Sequence, residues 1–414
     1  MKIAMLQPTL TWRGGAERQV LNLAIELQKA GHEVEIFTCV LNVSCYPELL
    51  RQLTINEIKI PTLQGVQTEN SLKRLKPPSY KFFKKRSPIR RLARSFRNYY
   101  YSLPAMVNLG MKIPKGFDVI NNHNCPTEWA AFFAKKRLNA PIVWMCNEPP
   151  FWFTNPNQRN ALGKINFPLY EVLDKVSVNY IDQIVALSTI GGRRIEQAYN
   201  KPYEIVHTGV DLFHRASGKE FRARYVLEND FLILQVGNIA PDKRQIDSLI
   251  ALHIVSKKHD NVKLIFVGVG PIEQLVALSQ KWGIENKVLF LHDCSDTELS
   301  QVYDACDVFV FPSQITWGLA VIEAMSASKP VLVSNKSGSS EVIKNGQNGF
   351  VIEEPYPKNM ALHIENLIAN SELRNTVGKN AYQYVKENLS WELYGRNMVS
   401  VFEKTLKKFK NLIL

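Results

Sequence analysis

Short apolar runs alternate with amphipathic stretches along most of the 414-residue chain, and this alternation restricts the possible fold more than any other feature. In the first half, the apolar runs lie at residues 3–6, 34–38, 118–121, 142–145 and 183–187. Between them, residues 16–30 and 127–138 have the spacing of helices with one apolar face. Wholly apolar strands separated by helices are typical of a parallel sheet covered on both faces. The pattern therefore predicts an α/β fold.

The pattern pauses around residues 207–211 and then starts again. Further apolar runs follow at residues 231–236, 262–267, 288–291, 308–311 and 331–334. A chain of this length can bury two separate cores. We predict two Rossmann-like, doubly wound domains, at residues 1–208 and 209–390. Residues 391–414 have a helical period, and two placements stay open for them, packed back on the first domain or free.

The net charge of +13 is concentrated in one segment. Residues 71–100 contain eleven Lys or Arg and no acidic residue, whereas 40 basic residues face 38 acidic ones in the rest of the chain. Because aromatic residues follow at 99–101, residues 73–97 predict a surface for anionic lipid headgroups, with a solvated loop as the alternative. Nucleic acid is not a predicted partner, since the remaining chain is nearly neutral.

Several classes of protein are disfavoured by what the sequence lacks. The six cysteines have neither the spacing of a metal site nor the density of a disulfide scaffold, so we expect thiols in a cytoplasmic protein. The first apolar run is too short for a signal peptide, and no run of about 18 apolar residues occurs. The glycine motif of dehydrogenases, the P-loop and the zinc motif His-Glu-x-x-His are also absent.

Two loops in the second half carry residues suited to a phosphorylated ligand. The strand at 231–236 ends in Gly237 and Asn238, and Lys243 and Arg244 follow directly before a helix. A lysine beside the positive end of a helix suits a diphosphate, although a solvent-facing lysine is the alternative. Farther along, Gly318 opens a second helix.

That second helix offers amides and a carboxylate. The amides of Gly318, Leu319 and Ala320 would be free at its start to bind phosphate. Glu323 follows within the first turns, where its carboxylate could accept two hydroxyl groups of a ribose.

The order of these segments resembles the retaining glycosyltransferases of family 4, which have the GT-B architecture of two Rossmann-like domains facing a central cleft. The resemblance covers nearly the whole chain and is strongest from about residue 180 to 355; residues 186–188 and 207–211 also match and are expected to be architectural. It implies a nucleotide-sugar donor in the second domain, with the ribose on Glu323 and the diphosphate against Lys243.

The resemblance also implies roles in the first domain. Gly14 and Gly15 match a glycine loop that approaches the donor phosphates, and His123 matches a histidine near the reacting sugar. Asn147 and Glu148 match a loop beside the acceptor, in which the family usually has His at the position of Asn147. The alternative for Gly14 and Gly15 is a flexible turn. For His123 it is a structural histidine held by hydrogen bonds, and for the loop at residues 147–148 it is a loop fixed by the prolines that follow.

Two positions depart from the family pattern. Asn238 stands where relatives usually have Arg, so one of two cations near the diphosphate is missing, and Arg244 is a partial substitute. Ile315 stands where relatives commonly have the first acid of a Glu-x7-Glu motif, and Gln314 lies one position away. An aliphatic side chain cannot hydrogen-bond a sugar hydroxyl.

The sequence thus predicts a retaining glycosyltransferase that moves a hexose from a donor such as GDP-mannose or UDP-glucose to a glycan or lipid-linked acceptor. We expect a cytoplasmic enzyme at the inner face of the membrane. It would need neither metal nor cofactor, because no Asp-x-Asp follows a strand and Lys243 with helix amides can stabilise the diphosphate. The alternatives are a non-catalytic sugar-nucleotide-binding subunit and, less favoured, a nucleotide-sugar 2-epimerase.

Overall fold

The structure is a computed structural model that describes residues 1–11, 13–58, 103–150, 163–212, 217–292 and 294–413. The chain divides into two compact units. Unit 1 comprises Met1–Leu187, Gly191–Val206 and Tyr394–Leu414, and unit 2 comprises Ser188–Ile190 and His207–Leu393. The basic segment at residues 71–100 and its predicted lipid surface lie outside the described residues.

Unit 1 contains a parallel sheet of seven strands in the order β3-β2-β1-β4-β5-β6-β7. The strands are β1 Lys2–Gln7, β2 Glu33–Thr38, β3 Thr54–Glu57, β4 Val119–His123, β5 Ile142–Met145, β6 Gln183–Ala186 and β7 Tyr203–Ile205. The helices before unit 2 are α1 Gly15–Lys29, α2 Pro47–Leu50, α3 at residues 103–112, α4 Thr127–Leu138, α5 Gly163–Val178 and α6 Thr189–Tyr199.

Unit 2 contains a parallel sheet of six strands in the order β10-β9-β8-β11-β12-β13. The strands are β8 Phe231–Val236, β9 Val262–Val267, β10 Val288–Leu291, β11 Val308–Phe311, β12 Val331–Ser334 and β13 Phe350–Ile352. The helices are α7 Gly218–Tyr225, α8 Gln245–Val255, α9 Glu273–Lys281, α10 Asp296–Ala305, α11 Leu319–Ser326, α12 Tyr356–Ala369 and α13 Ser371–Asn388. The last helix, α14 Trp391–Ile413, begins in unit 2 and belongs to unit 1 from Tyr394 onward.

The predicted α/β fold with two parallel sheets is confirmed, and three strands were missed. All three, β3, β7 and β13, lie at sheet edges and have only three or four residues. In β3 and β7 no residue is buried. An edge strand that buries so little needs no apolar run, and the apolar pattern therefore cannot reveal it.

The last helix, α14, packs on unit 1 after its first residues. The side-chain amide of Gln19 in α1 donates to the Tyr394 hydroxyl at 2.8 Å, and both groups are buried. Lys404 forms an ion pair with Glu204 of β7 at 3.6 Å. No helix in the described ranges is both long and apolar enough to cross a membrane.

Each sheet has one place where the strand order reverses, between β1 and β4 in unit 1 and between β8 and β11 in unit 2. In open parallel sheets, the loops that leave the carboxyl ends of two such strands diverge, and ligands bind in the crevice between them. The loops after these four strands are therefore the places to look for a site. They carry most of the residues that the sequence singled out.

Candidate functional site

In unit 2, the loops after β8 and β11 are bonded to each other. The carbonyl oxygen of Asp242 accepts hydrogen bonds from the Ser313 hydroxyl at 3.0 Å and from the Gln314 amide at 3.2 Å. These contacts bring the Lys243 segment beside the segment that leads into α11. The two candidate phosphate-binding segments are thus neighbours at the strand reversal, which the sequence did not show.

Lys243 ends a short 3-10 turn, Pro241–Lys243. Its carbonyl accepts from the side chain of Gln235 at 2.8 Å, and its ammonium group lies 3.0 Å from a carboxylate oxygen of Asp242. The lysine side chain is 20% exposed, whereas Asp242 is largely open to solvent. The main chain is therefore fixed, while the ammonium group can exchange a solvated carboxylate for another anion.

Arg244, which we considered as a substitute for the missing arginine, is already paired in unit 2. Its guanidinium donates to Asp247 and lies 4.8 Å over the ring of Tyr356. Asn238 is exposed. Lys243 is thus better placed than Arg244 to meet a diphosphate.

Gly237, at the carboxyl end of β8, has a φ of +144°, which favours glycine. The next glycine loop approaches it closely, because a Cβ on Gly268 would lie only 2.1 Å from the carbonyl oxygen of Gly237. Two glycines therefore let the loops after β8 and β9 touch. A side chain on Gly268 would force the loops apart, whereas a side chain on Gly237 would meet no atom and would be disfavoured only by the positive φ.

The start of α11 differs from the prediction in one respect. The Gly318 amide donates to the Ser339 hydroxyl at 2.7 Å, so the expectation that this amide is free for phosphate is wrong. The amides of Leu319 and Ala320 open the first turn, where the helix itself supplies no acceptor, and both residues are partly exposed. Ser339 follows β12, and no spacing in the sequence pairs it with Gly318.

Glu323 lies in α11 and is 8% exposed. One of its carboxylate oxygens accepts a hydrogen bond from the Tyr303 hydroxyl at 2.8 Å. Tyr303, in α10, is fully buried and holds this carboxylate in one orientation. In the sequence, Tyr303 occupies an apolar position of an amphipathic helix, as any aromatic residue of a core does. Sequence reasoning therefore missed its contact with Glu323.

In unit 1, Gly14 directly precedes α1 and Gly15 is its first residue, so the glycine pair follows β1 at the start of a helix as predicted. The carbonyl of Gly14 accepts from the Tyr46 hydroxyl at 3.3 Å, and a Cβ on Gly14 would lie 2.6 Å from a carboxylate oxygen of Glu17. Burial raises the pKa of Glu17. The exposed Gly15 begins the helix with an uncovered main chain.

His123 ends β4 and is completely buried. Its Nε2 lies 2.6 Å from Oδ1 of Asn121, whose amide nitrogen donates to the carbonyl of Val143. Since Oδ1 can only accept, Nε2 carries the proton and Nδ1 is a bare acceptor, which has no partner among the described residues. Burial lowers the pKa of His123 to about 3, so the ring is neutral at physiological pH.

Asn147, after β5, belongs to a chain of hydrogen-bonded amides. Its side-chain nitrogen donates to Gln19 and to Asn124, each at 2.7 Å, and Asn124 donates in turn to Gln7 at 2.9 Å. Both amide hydrogens of Asn147 are therefore used within unit 1. Glu148 is paired with Arg194. These contacts give both residues a structural role and leave their predicted role beside the acceptor a hypothesis.

No cluster of three or more His, Cys, Asp or Glu side chains that could hold a metal ion occurs in the described ranges. All six cysteines lie in the described ranges, and none of them forms a disulfide there. Unit 2 offers the ammonium group of Lys243, the amides of Leu319 and Ala320 and the buried carboxylate of Glu323. Unit 1 offers the neutral ring of His123.

Two families match the chain in consecutive stretches. Residues 13–213 match glycosyltransferase family 4, and residues 218–384 match the glycosyl transferases group 1. The boundary between the two matches falls at the pause in the strand pattern.

Individual proteins are also similar. Spore coat protein SA of Bacillus subtilis is 27% identical over 65% of this chain and 80% of its own length. An uncharacterized glycosyltransferase of Methanocaldococcus jannaschii is 24% identical over 97% and 98% of the two chains. The crystal structure of Anabaena HepE in complex with UDP superposes with a TM-score of 0.71 at 16% identity, over 98% of this chain and 100% of that one.

Proposed function

This chain belongs to glycosyltransferase family 4 and is a glycosyltransferase with the GT-B fold, and we propose that it transfers a hexose from a nucleotide-diphosphate sugar with retention of the anomeric configuration. The observation that carries the proposal is the junction of the two loops in unit 2. The Lys243 segment is bonded to the segment that leads into α11, and α11 carries the amides of Leu319 and Ala320 and, farther along, Glu323. This arrangement supports a site in which a diphosphate and a ribose have complementary groups. HepE, a structural neighbour, has been solved with UDP-glucose.

In the proposed reaction, the bond between the anomeric carbon and the diphosphate oxygen breaks first. Lys243 and the α11 amides stabilise the negative charge that develops on the leaving diphosphate. The acceptor hydroxyl then attacks from the same face and transfers its proton to the departing diphosphate. Glu323 binds the ribose hydroxyls of the donor.

We further propose that Nδ1 of His123 accepts a hydrogen bond from a sugar hydroxyl. A buried acceptor without a partner is uncommon in folded proteins, and a ligand hydroxyl would satisfy it. The ring is fully covered, so binding requires neighbouring side chains to move away from Nδ1. His123→Ala should weaken sugar transfer more than nucleotide binding, and equal losses in both would contradict this role.

A panel of nucleotide sugars tests the donor class. The folded protein should gain about 2.7 kcal/mol of stability at a ligand concentration 100 times Kd, seen as a rise in the thermal midpoint. We expect UDP-glucose or GDP-mannose to produce this rise and CMP-sialic acid, which has one phosphate, to produce much less. If no diphosphate sugar shifted the midpoint, the proposed donor class would be wrong.

Metal independence is a separate expectation. The ammonium group of Lys243 and the helix amides supply the positive potential that a divalent cation provides in other transferases. Turnover should therefore persist in excess EDTA at close to its initial rate. Loss of turnover in EDTA with recovery in Mg²⁺ or Mn²⁺ would refute it.

For the acceptor, we propose a glycan or lipid-linked sugar at the inner face of the membrane. The support is the basic sequence of residues 73–97, in which each Lys or Arg contributes about 1 kcal/mol near an anionic surface. The protein should co-sediment with phosphatidylglycerol vesicles at low salt and dissociate at high salt. Equal sedimentation with neutral phosphatidylcholine vesicles would contradict the electrostatic attraction.

A further inference from the structure

Four consecutive residues of unit 2, 315–318, lead into α11, and each is bonded to a different partner residue. We name residues 315–318 the donor turn. The carbonyl of Ile315 accepts from the Gly338 amide at 2.9 Å. The carbonyl of Thr316 accepts from the Ser188 hydroxyl at 2.7 Å.

The second half of the donor turn is held in the same way. The indole nitrogen of Trp317 donates to the Thr208 hydroxyl at 2.9 Å, and its ring stacks on His207 with centroids 4.7 Å apart. The Gly318 amide donates to the Ser339 hydroxyl at 2.7 Å. Three side-chain hydroxyl groups from distant parts of the sequence therefore fix three successive residues.

The packing around the donor turn leaves little room for adjustment. A Cβ on Gly338 would lie 1.7 Å from the Thr316 carbonyl oxygen and 2.3 Å from the Ser188 hydroxyl. Ser188 and Ser339 are fully buried, and Thr208 is 1% exposed. Water cannot readily replace these hydrogen bonds, so deleting one hydroxyl leaves a buried group unsatisfied.

We propose that Ser188, Thr208 and Ser339 are positioning residues for the donor diphosphate. They hold the donor turn in one conformation and thereby aim the amides of Leu319 and Ala320, which follow it directly. This inference rests on the proposed function. It gives a purpose to the segments 186–188 and 207–211, which matched the family without a chemical role.

The three hydroxyl groups act through the donor turn and do not meet the ligand themselves. Without one of them the turn stays joined to β11 and α11, but its main chain can rotate and the amides at the helix start lose their fixed direction. Electrostatic stabilisation by main-chain amides depends on such pre-orientation. The loss should therefore fall on phosphate binding and leave recognition of the nucleoside intact.

The test compares a nucleoside diphosphate with its nucleoside. In the full-length protein, Ser188→Ala, Thr208→Val and Ser339→Ala should each weaken UDP or GDP binding, measured by calorimetry, about 5- to 20-fold. Uridine or guanosine binding, measured by ligand-observed NMR, should change less than about twofold on the same reasoning. Thr208→Ser retains the hydroxyl and should keep the wild-type ratio of the two affinities.

Ser279→Ala is the matched control, because Ser279 is a buried hydroxyl of α9 that bonds to the Val276 carbonyl. It should lower the thermal midpoint without changing the ratio of affinities. A variant without a cooperative thermal transition has lost its fold and is replaced by Trp317→Phe, which keeps the ring over His207 but cannot donate to Thr208.

Two outcomes would overturn the inference, and they are distinguishable. If the wild-type protein binds UDP or GDP and the three variants keep its ratio of affinities, the positioning role is wrong and the proposed function stands. If the wild-type protein binds neither diphosphate, the proposed function fails and the positioning role fails with it.

Discussion

Replacing Lys243 with methionine is expected to lower the rate of sugar transfer about 100- to 1000-fold, the range found when one preorganised donor to a developing oxyanion is removed. The methionine keeps the length of the side chain and removes its charge. The stability of the fold should change little, because two hydrogen bonds of residue 243 involve only its main chain. Its carbonyl accepts from the Gln235 side chain, and its amide donates to the Ala240 carbonyl. Steady-state kinetics with the donor found in the panel would measure the effect.

Lys336 provides the control for this experiment. Lys336 also lies in unit 2 and forms an ion pair with Glu354 at 2.9 Å, but its side chain is far more exposed than that of Lys243. Lys336→Met should retain the wild-type rate, and Lys243→Arg should recover part of the lost rate because it restores the charge. A rate for Lys243→Met within threefold of wild type would show that this lysine does not stabilise the leaving group.

The second large effect concerns two buried carboxyl groups in unit 1. Glu128 of α4 and Asp174 of α5 are both fully buried and act on each other electrostatically, so a proton held on one of them removes the repulsion between two carboxylates. Asp174 also accepts from the indole of Trp129, and the thiol of Cys125 donates to Glu128. Burial and, next, the charge of Asp174 raise the pKa of Glu128 well above its usual range.

A raised pKa in the folded state determines the direction of the pH effect. Below about pH 4.3, the Glu128 carboxyl group is protonated in the folded and in the unfolded chain, and the contribution of Glu128 to stability is fully present. As the pH rises toward the folded-state pKa, the unfolded chain loses the proton first, and stability falls by up to about 1.4 kcal/mol per pH unit. The protein should therefore become steadily less stable from mildly acidic to neutral pH.

Glu128→Gln should remove this dependence. The amide has nearly the same shape, can donate to Asp174 and carries no titrating proton, so the variant should be more stable than wild type at pH 7 to 8 and show a flatter profile. Denaturant midpoints between pH 5 and pH 8.5 would measure the stability of the variant and the slope of its pH profile. Glu196→Gln, at an exposed position of α6, should leave the profile unchanged. An unchanged slope in Glu128→Gln would mean that Glu128 is ionised in the folded protein.

Much of the fold could be predicted because buried parallel strands must be apolar. The runs at residues 3–6 and 231–236 mark β1 and β8 for this reason. The strands β3 and β7 lie at sheet edges and bury no residue, so they leave no such mark. The packing of α14 on unit 1 was not predictable from the local pattern either, because one of its contacts joins Gln19 and Tyr394, which are 375 residues apart.

Part of the candidate site could be predicted from the sequence. Lys243 and Glu323 could be proposed from their places at a helix start and from the family resemblance. The amide of Gly318 was misjudged, since its acceptor, Ser339, comes from another loop. Tyr303 was missed because a buried tyrosine that orients a carboxylate has the same sequence pattern as one that only fills a core.

The sequence by itself determined the buried strands, the amphipathic helices between them and the residues at the carboxyl ends of those strands, because burial and helix geometry act on neighbours along the chain. Only the tertiary structure decided which polar groups are already satisfied. It pairs Arg244 with Asp247 and Tyr356, uses both amide hydrogens of Asn147, and leaves Nδ1 of His123 without a partner in the described residues. Hydrogen bonds between distant segments follow from strand order and side-chain direction, and neither is encoded in the local pattern.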